Sequence, residues 1–142
     1  MATDLEQVIE QYQQALGAFI KGDAEPVKRL FSRRDNVTLA NPFGPPAVGP
    51  NQVEAALNRA ASQLREGEAL RFESISEFAT ADLAYVLHFE RCRMKIAGAL
   101  EASPVSLRVT TIFGRDDGKW TIVHRQADPI TGPRPPESIV ER

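Results

Sequence analysis

The segment 105–128, VSLRVTTIFGRDDGKWTIVHRQAD, decides the fold class. Its first half, residues 105–113, is dense in β-branched side chains, which favour an extended strand. The residues 116–119 follow as a hairpin turn, because Gly118 adopts a positive φ without strain. The chain then returns over residues 120–127 as a last strand. The segment therefore predicts an antiparallel hairpin at the C-terminal end of a larger sheet.

Three helices and further strands are predicted before this hairpin. Apolar residues spaced three and four apart predict an amphipathic helix over residues 5–20. The other predicted elements are a short helix after Asp23, a short strand at 36–40, a helix from Asn51 to a stop at Gly67, and strands at 70–78 and 83–94. Helices followed by strands predict an α+β fold, with a curved antiparallel sheet packed on the three N-terminal helices.

The predicted strands carry apolar residues on both faces. Tyr85, Leu87 and Phe89 alternate with Val86 along one strand. A sheet with one face in water should alternate more cleanly between apolar and polar residues. We therefore expect the second face to contact a partner, most simply a second copy of the chain in a homodimer.

Length and composition limit the classes of function. The chain has 142 residues, which fits one domain, predicted over residues 1–129, and a proline-rich tail over residues 130–142. The net charge of -2 and the scattered basic residues argue against a nucleic-acid surface. The single cysteine, the lack of a leader pattern and the lack of a long apolar run predict no membrane association and a cytoplasmic location.

Five short segments resemble the nuclear transport factor 2-like superfamily, in its SnoaL-like, ketosteroid-isomerase-like branch of bacterial proteins. They are Asn36-Val-Thr-Leu, Asn41-Pro-Phe-Gly, Asp82-Leu-Ala-Tyr, Leu107-Arg-Val-Thr and the last segment, residues 117–129. Close relatives read His-Arg-His-Ala-Asp in the last segment, where this chain has Gln126 in place of the second histidine. The resemblance implies a cystatin-like cone with a pocket between helices and sheet, and a dimer packed through the sheets. It does not imply one activity.

The last strand supplies the first candidate site. By alternation, Trp120, His124, Gln126 and Asp128 share one face, and Trp120 favours burial. His124 could then be a general acid or base in an enclosed cavity, with Asp128 orienting it or acting as a base. The alternatives are a buried His124 that is simply hydrogen-bonded and an Asp128 that caps a turn. His124 and Asp128 are retained as catalytic candidates, and Trp120 and Gln126 as ligand contacts.

Further ligand contacts are predicted on the neighbouring strands and the first loop. Arg108 and Thr110 share a face, and an inward arginine would select an anionic ligand. The alternative for Arg91 and Arg108 is an ion pair with a glutamate or with a dimer partner. Tyr85 and Asn41 could offer a hydroxyl and an amide to the same cavity. The loop 41–50 is either a lid or a rigid connector.

The face opposite Tyr85 carries His88, Glu90 and Cys92. We expect His88 and Glu90 to meet the dimer partner, and Cys92 to be a small buried residue. The two histidines of the chain, on opposite strand faces, argue against zinc, and no metal or cofactor is expected.

Two classes of function fit these patterns. One is a pocket for a small apolar or anionic molecule, with cofactor-free isomerase, cyclase or dehydratase chemistry through acid–base residues. The other is a non-catalytic dimeric module that binds a ligand or a protein. Whether the protein is an enzyme is left open by the sequence.

Overall fold

The computed structural model describes residues 3–141 and confirms an α+β fold. Its helices are α1 (Asp4–Phe19), α2 (Glu25–Lys28) and α3 (Pro50–Ala61), and a 3₁₀ turn covers Pro136–Ile139. Its strands are β1 (Thr38–Ala40), β2 (Ala47–Val48), β3 (Leu64–Ala79), β4 (Leu83–Ile96), β5 (Ser103–Asp116) and β6 (Lys119–Asp128). The helices cover one face of the sheet, as the order of elements predicts.

The six strands form one sheet in the order β2-β1-β6-β5-β4-β3. The neighbours from β3 to β6 pair antiparallel, as predicted, whereas β1 pairs with β6 in parallel. The sheet is therefore mixed. Parallel pairing requires a long crossover, and here α3 and four strands, β2 to β5, separate β1 from β6 along the chain.

The edge strand β3 bends strongly along its length. Its pairing with β4 shifts register three times, and Glu66 and Ala69 have positive φ angles of 53° and 55°. Each shift is a β-bulge or a similar irregularity, which kinks a strand and increases its twist. The bends curl the sheet, which stays unclosed, over the helices.

The ends of the helices are only partly as predicted. The Thr3 hydroxyl accepts a hydrogen bond from the Glu6 amide at the start of α1. The predicted cap at Asn51 is wrong, because α3 begins at Pro50 after Gly49, and no side chain caps it. The predicted stop at Gly67 is also wrong, since α3 already ends at Ala61. Proline fits the first helical turn, where its missing N–H costs little.

Gly67 lies inside β3 because of a close approach to α1. A Cβ atom at this position would lie 2.3 Å from Cγ1 and 2.6 Å from Cβ of Ile20. The Gly67 amide also donates to the Ile20 carbonyl oxygen at 3.0 Å. Glycine here therefore lets the bent strand contact the end of the first helix.

Replacing Gly67 with alanine is expected to lower the free energy of unfolding by about 1–3 kcal/mol, the usual cost of overpacking a core. Gly17→Ala is the matched control, because nothing lies within 4 Å of an added Cβ in α1. It should gain up to about 1 kcal/mol from helix propensity. Urea unfolding of the two variants measures the contrast, and equal effects would contradict the close approach.

The inner face of the sheet is buried under the helices. Alternate residues of β4 face inward, and Val86, His88 and Glu90 are all about 5% exposed or less. The expectation that His88 and Glu90 meet a dimer partner is therefore wrong for this structure. Alternation groups residues by face, but it does not say which face is inside. Tyr85 lies on the outer face and is 38% exposed.

A bulge in β6 reverses the expected orientation of its second half. Phe113 pairs with Ile122, whereas the preceding Ile112 pairs with His124, so Val123 is the extra residue. Trp120 and Ile122, which lie before the bulge, are buried on the inner face. One inserted residue moves all later side chains to the opposite face.

No helix within residues 3–141 has the length and apolar character needed to cross a membrane.

Candidate functional site

An apolar cavity of about 130 Å³ lies between the helices and the inner face of the sheet. The apolar walls come from α1, α3 and strands β3 to β5, and they include Leu16, Phe19, Leu57, Leu64, Leu70, Met94, Val105 and Leu107. Three polar side chains also line it: Asn41, Glu90 and Arg125. We call this space the inner cavity. It combines a mostly apolar surface with polar groups at one end, which is typical of ligand sites.

A buried hydrogen-bond network forms the polar end of the inner cavity. The Arg125 guanidinium donates to Glu90 Oε1 at 2.9 Å, to the Tyr12 hydroxyl at 2.9 Å and to Asn41 Oδ1 at 3.0 Å. The Tyr12 hydroxyl donates to Glu90 Oε2 at 2.6 Å, and His88 Nε2 lies 2.8 Å from the same oxygen. Both oxygens of the carboxylate are thus engaged.

The network keeps a buried ion pair charged. Burial alone would raise the pKa of Glu90, but the Arg125 charge and the hydrogen bonds from His88 and Tyr12 outweigh it and hold that pKa below its ordinary value. Burial also raises the pKa of the Tyr12 hydroxyl, which therefore stays protonated and donates. Opposite charges at hydrogen-bonding distance compensate the cost of removing both groups from water.

The inner cavity lies beside a wider surface groove. This groove, of about 790 Å³, lies between the loop 41–50 and α3, and it shares Asn41, Phe43, Leu64 and Ile96 with the inner cavity. Phe43, which lines both spaces, is 66% exposed. The loop 41–50 therefore borders both spaces.

Asn41 is the one predicted ligand contact that the structure places at the inner cavity. Trp120 is buried in the core, where the Arg115 guanidinium lies 3.9 Å from its ring centroid. Tyr85 stacks on Phe78 at the outer face, with 6.0 Å between ring centroids. The prediction that Trp120 and Tyr85 line the same cavity as Asn41 is therefore wrong.

His124, Gln126, Asp128, Arg108 and Thr110 do come together, but on the outer face. In register, Thr110 faces Gln126 and Arg108 faces Asp128. Asp128 Oδ2 accepts from the Arg108 guanidinium at 2.8 Å and from the Gln126 amide at 2.8 Å. The prediction that His124, Gln126 and Asp128 line an enclosed cavity is wrong, because the Val123 bulge turns these β6 residues outward. Arg108 and Thr110 lie beside them on the outer face of β5.

The two catalytic candidates of the outer face have local partners. His124 Nδ1 lies 2.7 Å from the Thr38 hydroxyl, and partial burial lowers the pKa of its imidazole. Burial raises the pKa of Asp128, but the hydrogen bonds from Arg108 and Gln126 outweigh it, so that pKa lies below its usual value. Asp128 Oδ1 also accepts from the Ile130 amide at 2.9 Å, which is the predicted turn cap. A catalytic role for either residue remains a prediction.

The sequence reasoning missed Tyr12, His88, Glu90 and Arg125 as site residues. One signal was present, because His88 and Glu90 interrupt a face that is otherwise apolar, between Val86 and Met94. A charge on a buried face needs an opposite charge nearby. Arg125 supplies this opposite charge, but strand alternation without the Val123 bulge places Arg125 on the other face.

The SnoaL-like domain family matches residues 7–130 of this chain. A Streptomyces avermitilis protein, assigned as a dehydratase of the nuclear transport factor 2-like family, has a similar structure, with 17% identity, a TM-score of 0.73 and coverage of 91% of this chain and 98% of that one. A ketosteroid isomerase-like protein from Erwinia carotovora atroseptica aligns at 18% identity, with a TM-score of 0.72 and coverage of 89% and 94%.

A cystatin-like domain of unknown function from Nostoc punctiforme aligns at 18% identity, with a TM-score of 0.69 and coverage of 93% of this chain and 81% of that one. No curated protein matches the sequence. At these identities the solved structures establish a shared fold, which is compatible with ligand binding or cofactor-free isomerase-type chemistry. The match over residues 7–130 and the cone-like arrangement of helices and sheet agree, and the chain belongs to the SnoaL-like domain family.

Proposed function

We propose that the protein binds a small, mostly apolar, neutral molecule with a carbonyl group in the inner cavity. The observation that carries this proposal is a cavity with apolar walls and a polar end that has free donors but no free charge. Apolar contact with the walls would supply most of the affinity. The polar end would orient the ligand.

The free donors come from Arg125 and Asn41. A guanidinium has five N–H groups, and Arg125 uses three of them among the described residues. The Asn41 amide accepts from Arg125 through Oδ1, which leaves its NH₂ group available. Donors that lie together at one end of an apolar cavity fit an acceptor such as a carbonyl oxygen.

The ion pair favours a neutral ligand over an anion. Glu90 Oε1 lies 2.9 Å from the Arg125 guanidinium and neutralises its charge. A ligand carboxylate would enter an apolar site beside an existing carboxylate, and burying a charge without its own partner is costly. The sequence alone allowed either an apolar or an anionic ligand. The Glu90–Arg125 pair favours a neutral ligand.

The same network argues for binding rather than proton transfer. A general base works best when its pKa lies near the operating pH. The pKa of Glu90 is held below its ordinary value, and both of its oxygens already accept hydrogen bonds. Glu90 is therefore suited to fixing Arg125 and Tyr12 in place, and the non-catalytic class of function is better supported.

Titration with 2-hexanone and with pentanoate, followed by NMR, tests the proposal. We expect saturable binding of the ketone, at least about tenfold tighter than that of the carboxylate, as roughly 1.4 kcal/mol of charge burial implies. Cys92 lines the inner cavity, so Cys92→Phe should fill it and abolish binding, whereas Cys92→Ala should keep it. Unchanged binding in Cys92→Phe, or preference for the carboxylate, would rule the proposal out.

We also propose a homodimer through the outer face of the sheet. Tyr85, Leu87 and Ile112 lie near its middle, and its flanking charges are neutralised within the chain, as in the pairs Arg108–Asp128 and Arg91–Glu73. A two-fold interface places identical patches together, so a patch without net charge suits self-association. Light scattering should give twice the chain mass of 15.7 kDa.

A further inference from the structure

A second cavity lies on the other side of the buried network. It has a volume of about 90 Å³, lies between α1 and strands β3 to β5, and shares no lining residue with the inner cavity. Tyr12 and His88 line the second cavity, whereas Glu90 and Arg125 line the inner one. The hydrogen bonds of Tyr12 and His88 to Glu90 thus form the partition between two separate spaces.

Two buried polar groups that line the second cavity lack a protein partner in the described part of the chain. Thr111 lines it and is 1% exposed, and its Oγ1 atom has no hydrogen-bond partner within residues 3–141. An unmade hydrogen bond on a buried hydroxyl is costly, so such an atom usually marks a missing partner. Thr111 therefore points to an occupant of this cavity.

His88 supplies the second polar group. Its ring lies between Tyr12 and Phe72, with centroids 6.0 and 5.6 Å away, and its Nε2 atom faces Glu90 Oε2 at 2.8 Å. Glu90 is ionised and accepts, so Nε2 carries the hydrogen. An imidazole that carries its hydrogen on Nε2 accepts at Nδ1, and His88 Nδ1 makes no hydrogen bond to any residue that the structure describes.

We propose that the second cavity is a separate binding site for a small neutral molecule with a hydroxyl group. That hydroxyl donates to His88 Nδ1 and shares a hydrogen bond with the Thr111 hydroxyl. The volume corresponds to roughly three waters at about 30 Å³ each, so the occupant is water or a short alcohol. The lining combines apolar Ile9 and Phe113 with the Glu77 carboxylate, so an anion would meet an existing negative charge. A neutral occupant also avoids the cost of burying a charge against the apolar walls.

NMR titration of the labelled full-length protein with 2-propanol tests this site. We expect saturable shifts at His88 and Thr111, with Cys92 and Leu107 of the inner cavity unchanged. Thr111→Val should weaken binding at least tenfold, whereas Thr111→Ser, which keeps the hydroxyl, should retain it. Thr110→Val is the matched control, since Thr110 lies on the outer face of the same strand.

Water and alcohol are distinguished by a second measurement. Without alcohol, cross-relaxation between bound water and Thr111 should be visible in the wild type and lost in Thr111→Val. Bound water without saturable alcohol binding would support the site with water as its occupant. Absence of both signals, alcohol binding that survives Thr111→Val, or shifts confined to the inner cavity would overturn the proposal. None of these results depends on ketone binding in the inner cavity.

Discussion

Glu90→Gln is expected to lower the free energy of unfolding by about 3–5 kcal/mol, which corresponds to roughly 10–17 °C in Tm for a chain of this length. The substitution keeps the shape of the side chain but removes its charge. Arg125 would then be a buried cation without a counter-charge, and the new amide would present hydrogens to donors of the network. The expected loss of stability therefore comes from the missing charge, because the substitution keeps the packing.

Glu73→Gln is the matched control for this experiment. Glu73 pairs with Arg91 on the outer side of the neighbouring strand, and its side chain is 49% exposed, against 4% for Glu90. Exposed pairs contribute about 0–1 kcal/mol. Urea unfolding of the two variants should therefore differ by at least about 2 kcal/mol. Equal costs would show that the Glu90–Arg125 pair is not buried in solution.

A double variant separates the cost of an unpaired charge from the value of the pair itself. Glu90→Leu alone leaves Arg125 unpaired, whereas Glu90→Leu with Arg125→Met removes both charges. Buried ion pairs are often replaceable by apolar residues at little cost. The double variant should therefore be more stable than Glu90→Leu alone, and a further loss of stability would contradict this explanation.

The sequence predicted the elements well because their signals are local. The three- and four-residue spacing gave α1, and Asp117 and Gly118, with φ angles of 50° and 80°, form the predicted hairpin turn. The end of α3 was missed because Gly67 looks like a helix stop. Its actual role, contact with Ile20, depends on a residue more than forty positions away.

The site was mostly missed for one physical reason. Alternation assigns residues to faces correctly only while a strand has no bulge, and the Val123 bulge reversed the second half of β6. His124 and Gln126 were thus placed inside, and Arg125 was overlooked. Asn41 lies in the loop that follows β1, so its prediction did not depend on assigning a face to β6 residues.

The second large prediction concerns the proposed dimer through the outer face of the sheet. Tyr85→Glu is expected to raise the dissociation constant of the dimer by about 100-fold or more. Aromatic residues at interface centres commonly contribute 2 kcal/mol or more, and about 2.7 kcal/mol is a factor of 100. The two-fold symmetry also brings two new negative charges into one apolar patch, which adds repulsion between the subunits.

Two controls separate a lost contact from a general effect of added charge. Tyr85→Phe removes only the hydroxyl and should stay dimeric. Leu100→Glu adds the same charge at a residue that is 89% exposed, between β4 and β5, and should also stay dimeric. Sedimentation velocity over a dilution series measures all three variants. A contact that is buried by two-fold symmetry cannot accept two carboxylates without weakening. A monomeric wild type, or a Tyr85→Glu protein that is as dimeric as Leu100→Glu, would therefore mean that no second copy covers the exposed Phe78–Tyr85 stack.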